Sequence, residues 1–146
     1  MNISNIGGVF FLLSFWHFVS DWWFQSHHEA MNKSKNALIR LRHCVVYTAL
    51  MSLLQIANVF GDNLITAVSI MFSSHFLIDT YVPVYAWARY LRRDPVFLEE
   101  GTELEKFIKF FSKPIGLVLG ITMDQSLHIV FLLPIAIISV HPEYLY

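Results

Sequence analysis

Four apolar stretches of this chain each carry histidine or aspartate at helical spacing: His17 and Asp21, His43, His75 and Asp79, and Asp124 and His128. An ionisable side chain at bilayer depth costs roughly 2.5–3.5 kcal/mol on insertion scales, so the three aspartates together represent about 8–10 kcal/mol that a partner must offset. A bound metal ion is the leading candidate, because structural zinc contributes about 10–16 kcal/mol in peptides.

The stretches belong to a chain built for lipid. Its 146 residues are 55% hydrophobic and 14% charged, with a mean hydropathy of +0.52. That is more apolar surface than a soluble domain of this size buries. The composition predicts one all-α integral membrane domain over residues 1–146, a bundle of four transmembrane helices at 6–24, 38–60, 63–88 and 115–139. Each run is long enough to cross about 30 Å of hydrocarbon. The first run has no Lys or Arg before it and no small-residue cleavage site, so it is expected to be a retained span. Phe60-Gly61-Asp62-Asn63 predicts a tight turn between antiparallel second and third spans, with Gly61 and Asn63 suited to left-handed dihedrals and Asp62 a turn or cap residue. Asp94-Pro95 breaks the chain after the third span. Leu104, Phe107, Ile108 and Phe111 then recur opposite Glu103, Lys106 and Lys109, which predicts a short amphipathic helix lying in the interface before the fourth span. Cys44 is the only cysteine, which excludes an internal disulfide and a thiolate cluster.

Orientation follows from the basic residues. Lys33, Lys35, Arg40 and Arg42 lie in the first connection, Arg89, Arg92, Arg93, Lys106, Lys109 and Lys113 in the third, and none elsewhere. The positive-inside rule places both connections in the cytoplasm and both termini in the periplasm of a bacterial inner membrane, with Trp22, Trp23, Trp87, Tyr85 and Tyr90 as an aromatic belt. The basic residues form no single stripe or arm, which argues against a nucleic-acid partner.

With that orientation, His-x3-Asp in the inward-running first and third spans and Asp-x3-His in the outward-running fourth become one pattern. Each pair has its aspartate nearer the cytoplasm and its histidine one turn deeper, at roughly 22–25 Å and 16–18 Å from the outer ends; His43 falls at about 25 Å. Residues four apart share a helix face, so the seven side chains can converge as two layers on the bundle axis. Imidazole and carboxylate suit zinc or manganese, and seven ligands are enough for one or two ions with an open position for water. A metal-acidified water could attack an ester, phosphoester or amide, with an unligated aspartate among Asp21, Asp79 and Asp124 as general base. Gln25 and Gln125 are placed to orient ligands from outside the metal shell. Pro83 frees the carbonyl of Asp79. Blander readings stand beside these. A lone membrane histidine such as His43 is as readily a hydrogen-bond partner between helices. His27, His28 and Glu29 suit solvent exposure, and His141 lies near the outer terminus with no role. The loop arginines act as topology signals, although Arg40, Arg42, Arg89 and Arg92 are also placed to hold a lipid phosphate.

His17-Phe-Val-Ser-Asp21-Trp-Trp-Phe-Gln25, Lys33-Ser34, His43, His75-Phe-Leu-Ile-Asp79 and Asp124-Gln-Ser-Leu-His128 together resemble a domain-of-unknown-function family of small bacterial and phage membrane proteins. That family is distantly similar to membrane-bound metal-dependent hydrolases, and the resemblance implies a hydrolase without supplying a substrate. The expectation is therefore metal-dependent hydrolysis of a lipid-borne or membrane-partitioning small substrate, with membrane lipid as the surrounding partner. One alternative is a small transporter using the same residues as a relay, which the charge-poor outer halves of the spans disfavour. Another is a haem protein with histidine axial ligands, which leaves three aspartates unexplained.

Overall fold

The structure, a computed structural model, describes residues 6–140, the side chain of Leu104 excepted. Among these residues it is all-helical. Helix α1 (Ile6–Phe18) runs on as a π turn (Val19–Trp23), α2 is short (His27–Asn32), and α3 (Ala37–Ser52) tightens into a 3₁₀ turn (Leu53–Ala57). Then follow α4 (Leu64–Ile78), α5 (Val82–Ala86) with a second π turn (Trp87–Leu91), α6 (Glu103–Ser112) and α7 (Pro114–Ser139). Helix α1 packs on α3 and α7, and α4 packs on the same two, so the long helices close a four-membered ring with α6 against the outside of α7.

Two helical segments, Ala37–Ala57 and Pro114–Ser139, are long and apolar enough to cross a membrane, and a third is if Gly61–Ile78 and Val82–Leu91, bent by 56°, form one broken span. The first expected span falls outside that set. Its α-helix is 13 residues long and is followed by a π turn containing Ser20 and Asp21.

The connections explain the bends. Gly61 takes the expected left-handed conformation (φ 50°) and Asn58 shares it (φ 52°), whereas Asn63 sits at φ −90° and donates from Nδ2 to the Ile138 carbonyl at 2.7 Å, tying the turn to the end of α7. After Asp79 the chain breaks: Asp79 closes α4, Tyr81 is left-handed at φ 61°, and Pro83 lies in the first turn of α5, where its missing N–H breaks no helical bond. Asp79 thus stands at a helix end inside the bundle.

Helix α6 is amphipathic, and a capping box between Thr102 and Glu105 starts it. Phe107 and Phe111 turn inward against Tyr81, but Ile108 is exposed, and Phe110, absent from the expected face, is buried against Phe97. The predicted stripe was thus one position off on its buried edge. Two glycines of α7 permit the close approach: a Cβ on Gly116 would lie 1.9 Å from the Phe110 carbonyl oxygen, and one on Gly120 2.2 Å from the Phe111 ring. The Leu104 side chain and His141 lie outside the described residues.

The bundle interior has two parts. Val9, Leu13, Met51, Phe60, Met71 and Ile135 form an apolar core towards the Gly61 turn. Beyond it the same helices bury His17, Asp21, His43, His75, Asp79, Asp124, Gln125 and His128. Phe11, Phe15, Ile65, Ile115, Val118 and Val130 face outward. Apolar exterior around a polar interior is the arrangement lipid demands.

Candidate metal centre

Each ring helix delivers its polar residues one turn from its apolar ones. The π turn of α1 carries Asp21, α3 carries His43, α4 carries His75 and ends on Asp79, and α7 carries Asp124, Gln125 and His128. Single π turns recur at functional sites because they re-aim side chains from an otherwise regular helix.

Four atoms converge: Asp21 Oδ1, His43 Nε2, His75 Nε2 and Asp79 Oδ2. His43 lies 2.9 Å from Asp21, 2.9 Å from His75 and 3.4 Å from Asp79, and His75 lies 3.5 Å from Asp21 and 3.4 Å from Asp79. Ligands about 2.0–2.1 Å from a tetrahedral zinc are about 3.3 Å apart. The five distances lie near that spacing, but the four residues do not close into one set: Asp21, His43 and His75 offer ligand atoms all within 4.8 Å of one another, and Asp79 joins a second, overlapping group with Cys44 and His75. Two imidazole nitrogens facing each other and two carboxylates need shared protons or a cation between them, and all four residues are at most 3% exposed.

The remaining residues surround this group. Gln125 Nε2 donates to Asp21 Oδ2 (3.1 Å) and Asp124 Oδ2 (3.2 Å), which turns its Oε1 to His17 Nε2 at 3.2 Å. An amide oxygen only accepts, so His17 carries its proton on Nε2, and its Nδ1 accepts from the Tyr47 hydroxyl at 3.0 Å. Both ring nitrogens of His17 are thus engaged. In this arrangement it orients Gln125, which in turn aligns two aspartates. His128 donates from Nδ1 to the Asp124 carbonyl at 2.9 Å, leaving a bare Nε2 lone pair, buried, without a hydrogen-bond partner and 3.8 Å from Asp79 Oδ1. Asp124 Oδ1 is also buried without a partner. Gln25 stays apart, its buried Oε1 unpartnered beside the cavity wall.

Lys33, read in the sequence as a loop charge, enters this cluster. Its Nζ is 2.9 Å from Asp79 Oδ1, an ion-pair distance without the angle of a hydrogen bond, 3.3 Å from His43 Nε2 and 3.5 Å from Asp21 Oδ1. Burial works against its charge, but Asp21 and Asp79 outweigh that and hold the ammonium above the usual lysine range. The loop around it is braced. A capping box between Ser26 and Glu29 starts α2, Arg42 pairs with Glu29 at 3.3 Å, and Arg40 Nη1 donates to the carbonyls of Lys33 (3.0 Å) and Ser34 (3.3 Å) while lying over the Phe76 ring. Glu29 is therefore buried, contrary to expectation, whereas His27 and His28 are exposed. Hydrogen bonds from Ser26 hold its carboxyl below the usual glutamate range. Arg89 pairs with Glu103 and Arg92 with Asp94, so all four arginines expected at headgroups have partners within the chain.

Tyr47 has no part in the sequence reading, and Lys33 has one only as a loop charge and within the family string, without a role at the site. Tyr47 follows His43 by four, the spacing that shares a helix face, and its ring stacks on His75 at 3.7 Å between centroids. That spacing was a usable signal. Nothing in the spacing of Lys33 sets it apart from the other basic residues.

A cavity of about 480 Å³ opens onto the cluster, with Asp21, Asp124, Gln125 and Lys33 at its polar end and Trp22, Phe107, Phe111 and Leu117 along its walls. It shares Ser34, Lys35, Tyr81, Phe107 and Phe111 with a neighbouring, mainly apolar groove of about 620 Å³ beneath α6.

A family model described as "Protein of unknown function (DUF3307)" matches residues 9–144. The chain belongs to this family. All of the clustered DUF3307 residues, from His17 to His128, lie within the match. No curated protein and no solved structure matches the chain.

Proposed function

We propose that this DUF3307 protein is a metal-dependent hydrolase of the bacterial inner membrane that acts on a lipid-borne or membrane-partitioning small substrate. The observation that carries the reading is the buried group of Asp21, His43 and His75, whose ligand atoms lie 2.9–3.5 Å apart, near the spacing of ligands around one zinc or manganese ion, with Asp79 Oδ2 3.4 Å from both imidazoles as a further donor. The bound ion would supply a water acidified towards neutral pH. Asp124 stands outside this group, borders the cavity and has an unpartnered oxygen, the position of a general base that takes a proton from that water. Gln125 fixes the base and Asp21 in register. The apolar cavity wall suits an acyl or isoprenoid chain.

The reading includes four spans, with the first and the broken third each counted as one, and with the two basic connections cytoplasmic. The cavity then opens at the cytoplasmic leaflet, beside α6. Transport is disfavoured by Leu13, Met51, Met71 and Phe60, all fully buried, which fill the other half of the bundle. Haem is disfavoured by imidazole rings packed 4.4–6.1 Å apart, centroid to centroid, with no slot for a macrocycle between them.

Metal content of detergent-purified protein, by mass spectrometry on wild type and Asp79→Ala, tests the centre. Wild type should carry zinc or manganese and the variant should lose it. A folded wild type that takes up neither on incubation would overturn the reading. Metal-loaded protein in phospholipid vesicles, with products followed by mass spectrometry, tests the hydrolysis.

A further inference from the structure

Asp79 presents its two oxygens to different neighbours. Oδ2 faces His43 and His75 at 3.4 Å, and Oδ1 faces the Lys33 ammonium at 2.9 Å. A carboxylate divided in this way has the form of a bridge in a two-metal site, where ions stand about 3.5–4 Å apart. Here the second position is taken by a side chain, whose ammonium also lies 3.3 Å from His43 Nε2 and 3.5 Å from Asp21 Oδ1 and so borders the ion position as well. The donors that would otherwise complete it are present, since His128 Nε2 is 3.8 Å from Asp79 Oδ1 and has no partner, and Asp124 Oδ1 has none either.

Charge leads to the same place. Asp21, Asp79 and Asp124 bring three negative charges into a buried site, and Lys33 brings one positive. One divalent ion closes the balance with the histidines neutral. Two ions beside Lys33 would leave an excess of two positive charges at membrane depth, which desolvation penalises heavily.

We propose that the centre takes one divalent ion and that Lys33 is its second cation, standing where a binuclear site would hold another metal. The proposal rests on the metal reading above and adds its stoichiometry and the role of Lys33. Arg40, by holding the Lys33 and Ser34 carbonyls, fixes the loop from which the ammonium reaches the site. Because Lys33 also borders the cavity, its charge lies next to any anionic group of a substrate there.

The test is the metal-to-protein ratio of the full chain in detergent, after incubation with excess zinc and removal of weakly bound ion. Wild type and Lys33→Arg should each hold one ion. Lys33→Met, which keeps the apolar stem, and Lys33→Ala should each move towards two, because Asp79 Oδ1, Asp124 and His128 are then left without a cation. Circular dichroism and thermal unfolding identify folded samples, and either neutral variant suffices if the other aggregates. Two ions in wild type, or one ion in a folded neutral variant, would overturn the proposal. Zero in wild type would remove the metal reading itself, a different result.

Discussion

Leu13 and His17, Met71 and His75, and Leu132 and His128 are each one turn apart on the same helices, yet the two halves of the bundle that they define are held together differently. In the apolar half, contacts are non-directional and many residues share the load. In the polar half partners are few and their angles fixed, some atoms such as Asp124 Oδ1 and His128 Nε2 have no hydrogen-bond partner, and an unmatched atom carries the penalty of burial. The first half should govern stability through packing alone, whereas the second should govern ligand binding and also cost stability wherever a buried partner is removed, and substitutions can weigh the two.

The largest effect is expected at His43, which stands 2.9 Å from both Asp21 and His75. His43→Ala should weaken metal binding by about 100-fold or more, one ligand's share of the zinc binding energy. Isothermal titration with zinc measures it, and the metal-free variant should also lose about 1–3 kcal/mol of stability, because Asp21 and His75 lose a buried partner. Wild-type affinity in the variant would break the division between the halves. Next is Leu13→Ala in the fully buried apolar half, expected to lose about 2–5 kcal/mol in denaturant unfolding while the metal ratio stays unchanged. A variant that keeps its stability but loses metal would reverse the comparison.

A smaller effect should follow where α6 meets α7. Gly116→Ala places a methyl 1.9 Å from the Phe110 carbonyl, so the backbone must shift, at about 1–3 kcal/mol of overpacking. Faster proteolysis within 99–112 reports the shift, and metal binding should hold. The smallest concerns the brace on the Lys33 loop. Ser26→Ala removes the α2 cap for about 1 kcal/mol. Because the folded state holds Glu29 below the ordinary glutamate range, its contribution is complete at neutral pH and is lost as pH falls through its folded value. Protection of 27–33 against hydrogen exchange, corrected for the pH dependence of intrinsic exchange, should therefore fall on acidification in wild type, and less so in the Ser26→Ala variant.

The helical class and the residues that converge were legible because both follow from period: apolar runs and i,i+4 pairs. The split of roles within the cluster was not. His17 reads in sequence like His75, and only the amide of Gln125 and the hydroxyl of Tyr47 arriving from other helices make it an orienting group rather than a free one. Lys33 was hidden for a related reason, since a loop lysine folded back into the bundle has the same composition as one left in water. Pro83 signalled a disturbance at Asp79, but whether a proline bends or ends a helix depends on neighbouring dihedrals, and here Tyr81 at φ 61° ends it. The edge of the α6 face was missed because Phe110 finds Phe97, a partner from a segment with no periodic pattern of its own.

The ring has a consequence for biogenesis. Helix α7 closes it by joining α1 to α4, and α7 also brings Asp124, Gln125 and His128. During synthesis at about 5–20 residues per second, Asp21, His43, His75 and Asp79 are all made before their aligning amide exists. Until α7 arrives, the early carboxylates have Lys33, made in the first connection, as their nearby counter-charge. Closing the ring is therefore a separate, later event, and until it happens the acids of the nascent chain are neutralised in part by a residue made near the start.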